Sequence, residues 1–272
     1  MSNFKLSIIT INYNNAIGLK KTMESVANQN LQNFEYIVVD GNSTDNSLSI
    51  IKSFDLSNLK WSSENDTGVY NAMNKGIKKA SGNFLLFLNS GDFLVNDTII
   101  EKVLPSLHNK FDFISGHLEF IENSETVVKK HPEKISLSYL LRSTLMHPST
   151  FIKKSLFYEY GFYNEDLKIV SDWEFFFKTI GLNGATFKRI DIIVAHFNMD
   201  GISTSQGDKA NSERESIQKK YLNVVFNHSL DEFLFNQIKN PSKRIKFLKK
   251  IENKKVLRRI ATVLLKLLSK FS

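Results

Sequence analysis

The chain contains no cysteine, and only four prolines and twelve glycines among its 272 residues. Without cysteine there is no disulfide, no thiolate nucleophile and no Cys-ligated zinc or iron–sulfur centre. So little proline and glycine excludes a collagen-like repeat or a Pro/Gly-rich flexible chain. Long apolar runs are missing as well. No stretch approaches the roughly 20 residues of a membrane-spanning helix. The opening MSNFKLSIITINYNN lacks the basic n-region and apolar core of a signal peptide. What is present suits a globular protein: 42% apolar and 24% charged residues, with 22 phenylalanines read as core aromatics. A chain of this length buries a sizeable core.

Charge is unevenly placed. Residues 241–272 carry eleven Lys and Arg against Glu252 alone, so this tail is +10 and the other 240 residues sum to −2. The basic balance therefore describes the tail and not the fold. In RIKFLKKIENKKVLRRIATVLLKLLSKF, apolar residues from Ile245 to Leu267 fall roughly on one face with Lys and Arg around them. That is the pattern of an interfacial helix on anionic lipid. The competing reading is a helix packed on the protein's own surface. Nucleic acid is not expected as a partner, because no aromatic stacking platform accompanies the charge.

The first 110 residues alternate apolar strands with helical patterns. Leu6–Ile11 (LSIITI), Phe34–Asp40 (FEYIVVD) and Phe84–Leu88 (FLLFL) read as strands buried on both faces, and a weaker strand surrounds Trp61. Helical faces fall between them, with Leu19, Met23 and Val26, then Leu48, Ile51 and Phe54, then Val69, Met73 and Ile77. This alternation predicts βαβ units and a mostly parallel sheet flanked by helices. Beyond residue 110 the pattern is mixed. Strands are predicted at Phe113–Ile121, Thr126–Lys130 and Thr186–His196, and helices at Ser136–Arg142, Ser155–Tyr160 and Asp172–Ile180. Residues from 208 onward read as helical and extra to the core.

In an open parallel sheet, ligands bind beyond the C-terminal strand ends. Four such ends deliver small polar or acidic residues: Thr10, Asn12, Asn14 and Asn15; Asp40-Gly41-Asn42-Ser43-Thr44-Asp45; Glu64-Asn65-Asp66-Thr67-Gly68; and Asn89-Ser90-Gly91-Asp92. Each alone is satisfied by an N-cap, a turn or a solvated loop. Four at one edge point to a ligand site. Neither GxGxxG nor GxxxxGK[ST] is present, so the dinucleotide and P-loop fingerprints do not apply. A divalent ion on Asp92, or Lys75 beside Asn74, is then expected to neutralise a diphosphate.

These residues resemble the family 2 glycosyltransferases of GT-A fold over roughly Lys5 to Ser203. The matching segments run in order: SIITINYN, DGNSTDNS, SENDTGVYNAMNKGI, FLNSGD, MHPSTF, GFYNEDLKIVSDWEFF and HFNMDGIS. The resemblance implies an α/β protein with a Rossmann-like GT-A sheet, a mixed second half and a helical C-terminal extension. Residues 1–207 are expected to form the GT-A domain, with a nucleotide-binding half 1–110 and an acceptor half 111–207, followed by the extension 208–272. The resemblance also implies a nucleoside-diphosphate-sugar donor, usually a UDP-sugar, a Mg²⁺ or Mn²⁺ ion, and inversion at the anomeric carbon. By analogy Thr10, Asn12, Asn14, Asp40, Asp66, Asn74 and Lys75, with Asn89, Ser90 and Gly91, line the nucleotide and diphosphate pocket. Asp92 is the expected metal ligand; His196, ending the apolar strand IDIIVAHF before a Gly-Ile-Ser loop, is read either as a core histidine or as a further ligand. The family commonly has a di-acidic cluster where this chain has FLNSGD, with Asn89 and Gly91 in place of the usual acids.

Asp172 in SDWEFF is the expected general base, which takes the proton of the attacking acceptor hydroxyl. Its other reading is a helix cap after Ser171. Glu174 and Asp166 are lesser candidates for the base. His147, Trp173 and Glu174 are expected on the acceptor side. The whole reads as an enzyme that moves one sugar to a glycan or lipid-linked acceptor on the cytoplasmic membrane face, in cell-envelope polysaccharide assembly. Two rival readings stand beside it. A nucleotidyltransferase needs a basic loop near the N-terminus, and INYNNAIG has no Arg or Lys. A non-catalytic sugar- or membrane-binding protein draws support only from the missing acids of FLNSGD.

Overall fold

The computed structural model describes residues 5–122, 125–198 and 207–222, together with Lys243 and Lys246. Its centre is a nine-stranded sheet with the order β3-β2-β1-β4-β8-β6-β9-β5, and β7 pairs with β6. The first half follows the apolar runs. Strands β1 (Leu6–Asn12), β2 (Glu35–Asp40) and β4 (Phe84–Phe87) are buried along their whole length. They pair in parallel, with β3 (Leu59–Ser63) at the edge. Continuous β-branched and aromatic stretches suit strands covered on both faces. Helices α1 (Ala16–Ala27), α2 (Ser47–Ser53) and α3 (Val69–Lys79) supply the crossovers. Along α3, Gly76 lets the helix lie on β1, because a Cβ there would meet Ile9 Cγ2 at 2.5 Å.

The second half is mixed, as its pattern suggested. A short strand β5 (Phe93–Leu94) and helix α4 (Ile99–Val103) lead to β6 (Phe113–Glu122) and its hairpin partner β7 (Glu125–Lys129). After α5 (Leu137–Leu140) come β8 (Thr150–Lys153), α6 (Ser155–Tyr160), α7 (Ser171–Phe176) and β9 (Phe187–His196). Only β6 and β9 pair in parallel in this half; β8 and β5 run antiparallel to their neighbours. Strands β5 and β8 had no signal in the sequence, being two and four residues long. The helix expected over Asp172–Ile180 divides into α7 and a wider π turn, Phe177–Leu182.

Helix α8 spans Gly207–Leu222. The chain divides into a compact unit of residues 1–217 and a second of residues 218–272. The basic amphipathic tail lies outside the described residues except for Lys243 and Lys246, both exposed. No helix among the described residues is long and apolar enough to cross a membrane.

One buried carboxylate ties the sheet to the chain below it. Glu35 has no solvent exposure. It accepts from Ser7 Oγ at 2.6 Å, Lys60 Nζ at 2.7 Å and the Ser81 N–H at 2.7 Å. Burial raises its pKa, but Lys60 and the other donors outweigh that and hold it below the usual value. Glu35→Ala is expected to lower the unfolding free energy by about 1–3 kcal/mol, because the buried Ser7 hydroxyl and the Ser81 N–H lose their acceptor, while the exposed Lys60 keeps its water. Urea denaturation at pH 7 checks this. The contribution exists above the unfolded carboxyl pKa and fades as pH falls through the depressed folded value, so the gap between wild type and variant narrows in acid.

Candidate active site

The parallel strand ends meet as expected, but the polar side chains divide into those that build the edge and those that face outward. Asp40, at the end of β2, is fully buried. Its carboxylate accepts from Asn12 Nδ2 at 2.8 Å, Ser43 Oγ at 2.6 Å, Ser63 Oγ at 2.7 Å and the Ser43 N–H at 3.0 Å. Burial pushes its pKa up, and these donors pull it below the usual carboxylate value. Asn12 also donates to Ser47 Oγ, and its Oδ1 accepts from Ser90 Oγ at 2.8 Å. One amide thus joins the loops after β1, β2 and β4. Asn14 joins the first two again: its N–H donates to Ser43 Oγ and its Oδ1 accepts from the Thr44 N–H.

An aromatic the sequence reading passed over stands on this edge. Tyr13 is 70% exposed. A Cβ on Gly41 would lie 3.1 Å from its ring and 3.0 Å from Asp66 Oδ2, so Tyr13, Gly41 and Asp66 form one surface. Lys75 closes it with an ion pair to Asp66 at 2.7 Å and a bond to the Asn65 carbonyl.

The loop Asn89–Asp92 is held from α1. Thr22 Oγ1 accepts from the Gly91 N–H at 2.9 Å and lies 2.7 Å from the Asp92 carbonyl. Gly91 has φ +107°, and a Cβ there would meet Asn198 Nδ2 at 2.9 Å, so the turn requires glycine on two counts. Asp92 is buried. Its carboxylate accepts from the Asn198 N–H at 3.0 Å and makes no ion pair among the described residues. Burial pushes its pKa to about 7, against the pull of its backbone donors. Asn89 Oδ1, in the same loop, is buried without a hydrogen-bond partner. A desolvated carboxylate near a spare amide oxygen suits a hard divalent cation, whose other ligands are phosphate and water. His196 is register partner to Phe93 and stacks on its ring with centroids 4.6 Å apart, beside Asp92 in the chain. Its Nδ1 lies 3.5 Å from Glu119. Among the described residues no three His, Cys, Asp or Glu side chains converge.

On the other side, Asp172 sits in the first turn of α7, partly exposed. Its Oδ1 accepts from Tyr70 Oη at 3.0 Å, and Tyr70 also lies 2.6 Å from the Ile169 carbonyl. Tyr70 opens α3, directly after Asp66–Gly68, so this bond brings Asp172 to the edge formed by the strand ends. Burial, then the Asp172 charge, holds the Tyr70 phenol well above its usual pKa, so it stays protonated.

Several expected contacts are corrected by burial. Thr10 is fully buried, with Oγ1 bonded to the Leu88 carbonyl at 2.7 Å, and shapes the sheet without facing a ligand. Asp40 likewise acts by folding its loop. Trp173 is fully buried, its indole N–H donating to the Leu140 carbonyl at 2.7 Å, so it is core and not an acceptor contact. Asn74 is 3% exposed and clamps the 163–165 loop, donating to the Tyr163 carbonyl and Glu165 and accepting from the Tyr163 N–H. Lys75 is paired with Asp66 at 2.7 Å. His147 is packed on Phe87 and bonded to Tyr163 Oη at 2.8 Å. Burial lowers its pKa to about 4, the Asp172 charge opposing, so it is uncharged at neutral pH. Glu174, on α7 itself, is buried.

The sheet order and the loops at its edge define the GT-A class of glycosyltransferase. S. aureus TarS 1-349 in complex with UDP-GlcNAc shares the fold, with TM-score 0.67 and 21% identity over 87% of this chain and 70% of that one. A longer S. aureus TarS chain is spanned over only 43% of its length. The mannosyltransferase PcManGT from Pyrobaculum calidifontis, in complex with GDP-Man and Mn²⁺, has TM-score 0.56 and 17% identity over 78% of this chain and 60% of that one. The family model for glycosyl transferase family 2 matches residues 7–171. A PGL/p-HBAD biosynthesis glycosyltransferase of Mycobacterium bovis is 30% identical over 210 residues, 75% of this chain and 80% of the relative. The UDP-Glc:alpha-D-GlcNAc-diphosphoundecaprenol beta-1,3-glucosyltransferase WfgD of Escherichia coli is 30% identical over 165 residues, 56% of this chain and 65% of the relative. The chain belongs to glycosyl transferase family 2 and is a glycosyltransferase.

Proposed function

We propose that the enzyme transfers one sugar from a UDP-sugar to a hydroxyl of a glycan or lipid-linked acceptor, with inversion. The observation that carries this reading is the Tyr70–Asp172 bond, which brings a carboxylate from the second half to the edge built by the first. The donor base stacks on Tyr13 over Gly41, with Asp66 and Asn14 beside it. Asn89, Ser90 and Gly91 approach the diphosphate. Asp92 would hold a Mg²⁺ or Mn²⁺ ion, which when bound supplies charge neutralisation for the departing diphosphate. The missing second acid is supplemented by Asn89 Oδ1, and His196, stacked on Phe93 next to Asp92 in the chain, is the further candidate ligand.

Asp172 accepts the proton of the acceptor hydroxyl as that oxygen attacks the anomeric carbon. The new C–O bond forms on the face opposite the diphosphate, which leaves with the electron pair of the broken bond. Tyr70, in contact with Asp172 Oδ1, orients the carboxylate and leaves Oδ2 for the acceptor proton. UDP-linked donors are supported by the name of WfgD and by the ligand of the TarS complex. The basic tail fits an enzyme that meets its acceptor on an anionic cytoplasmic membrane face.

A thermal-shift panel of nucleotide-sugars with Mn²⁺ tests the donor class. A UDP-sugar is expected to raise Tm in a concentration-dependent way. Tyr13→Ala is expected to weaken that donor by about 1–2 kcal/mol, roughly 5- to 30-fold in Kd. A panel in which no nucleotide-sugar stabilises the protein overturns the reading. An unchanged Kd in the Tyr13 variant moves the base to another wall.

A further inference from the structure

Helix α8 begins beyond the segment that resembles the family, and its side chains return to the entrance of α7. Glu213 places its carboxylate against three successive backbone N–H groups: Lys168 at 2.9 Å, Ile169 at 3.0 Å and Val170 at 3.3 Å. These are the peptides that lead into Ser171 and Asp172. Helix α7 has no side-chain cap of its own at Val170. The acceptor for this turn therefore comes from 43 to 45 residues further along the chain.

The next residue, Arg214, lies with its guanidinium carbon 5.4 Å from the centre of the Trp173 ring. Its Nε is buried without a hydrogen-bond partner. It makes no salt bridge with Asp172 within 4.0 Å, yet its charge and that of Asp172 are within electrostatic reach, as Tyr70 is also. The groups that register the Asp172 charge are Tyr70 on α3, Tyr163 after α6, His147 before β8 and Arg214 on α8. Two are phenols and the imidazole is uncharged at neutral pH, so among these Arg214 is the cation. A direct Arg–carboxylate fork would occupy the oxygens that a base must keep open. An offset cation leaves one oxygen for the acceptor.

We propose that Glu213 and Arg214 are positioning residues for glycosyl transfer, fixing the backbone and the charge environment of Asp172, so that α8 completes the acceptor side of the site. This rests on Asp172 being the base. Both residues then act through Asp172, and their effects must disappear when the base is gone.

The test uses the full chain with Glu213→Ala, Glu213→Gln, Arg214→Gln and Arg214→Lys, each alone and combined with Asp172→Asn. Glu213→Ala and Arg214→Gln are expected to lower kcat at least tenfold with UDP Kd within twofold of wild type. Arg214→Lys restores most of the rate, since it keeps the charge and has no fork to replace. Glu213→Gln keeps an acceptor oxygen and falls between. In the Asp172→Asn background, followed under single-turnover conditions, each change costs less than twofold. Losses that add fully in that background, or a donor affinity that falls along with kcat, overturn the proposal. So do rates within twofold of wild type when Asp172→Asn alone is inactive. If Asp172→Asn itself retains turnover, the base assignment fails first and this inference with it. Should Glu213→Ala not fold, Glu213→Gln and the Arg214 pair still decide.

Discussion

Asp172→Asn is expected to reduce turnover by about 10²–10⁴ while leaving donor affinity within twofold. The substitution is nearly isosteric. Its carbonyl oxygen still accepts from Tyr70, whose bond to Oδ1 is 3.0 Å. It also keeps its place in the first turn of α7. What it loses is the capacity to take a proton at the moment the acceptor oxygen attacks. A loss of that size corresponds to about 3–5 kcal/mol in the barrier. Steady-state rates with saturating donor, and UDP titration of both proteins, provide the comparison. Turnover preserved within a few-fold would leave Asp172 as a helix-start residue only. The other acids of this region are poorly placed to replace it, since Glu174 is buried and Asp166 lies on an exposed turn.

Asp92→Asn is expected to act in two opposite directions. With Mn²⁺ and UDP-sugar, activity falls at least about 100-fold and metal-dependent UDP binding is lost, because the one carboxylate of the Asn89–Asp92 loop is gone. With metal chelated, the same variant is expected to be more stable than wild type at pH 8. Burial raises the Asp92 carboxyl from 3.8 to about 7 in the folded protein. A raised carboxyl pKa means that the folded state resists ionisation, so wild-type stability declines as pH climbs from about 4 to 7 and levels off above. The variant lacks that decline. Melting curves from pH 4 to 8 in EDTA, repeated with Mn²⁺ and UDP, separate the two effects. A variant that keeps Mn²⁺-dependent UDP binding would move the metal off Asp92, with His196 next to be tested.

The contrast between scaffold and ligand-facing residues explains how far a linear reading reaches. LSIITI, FEYIVVD and FLLFL announced buried parallel strands because burial on both faces leaves an uninterrupted apolar run, a local property. The polar residues after each strand end lie together at one edge of the sheet. Their roles were not local. Asn12 and Asp40 look like nucleotide contacts in the chain, yet they are bonded to one another across 28 positions. Asn74 is held by Tyr163 and Glu165, 89 and 91 residues away. Which amide meets which carboxylate depends on strand order and register, and neither is written in periodicity. Strands β5 and β8 were silent because two to four residues carry too few alternations to signal. Glu213 and Arg214 sat in a stretch read as a mere extension, and only the return of α8 to the start of α7 gives them a partner. Element type followed from side-chain patterning along the chain. The division of the polar residues into buried scaffold and exposed edge followed from contacts between distant segments, which form only when the sheet closes its core.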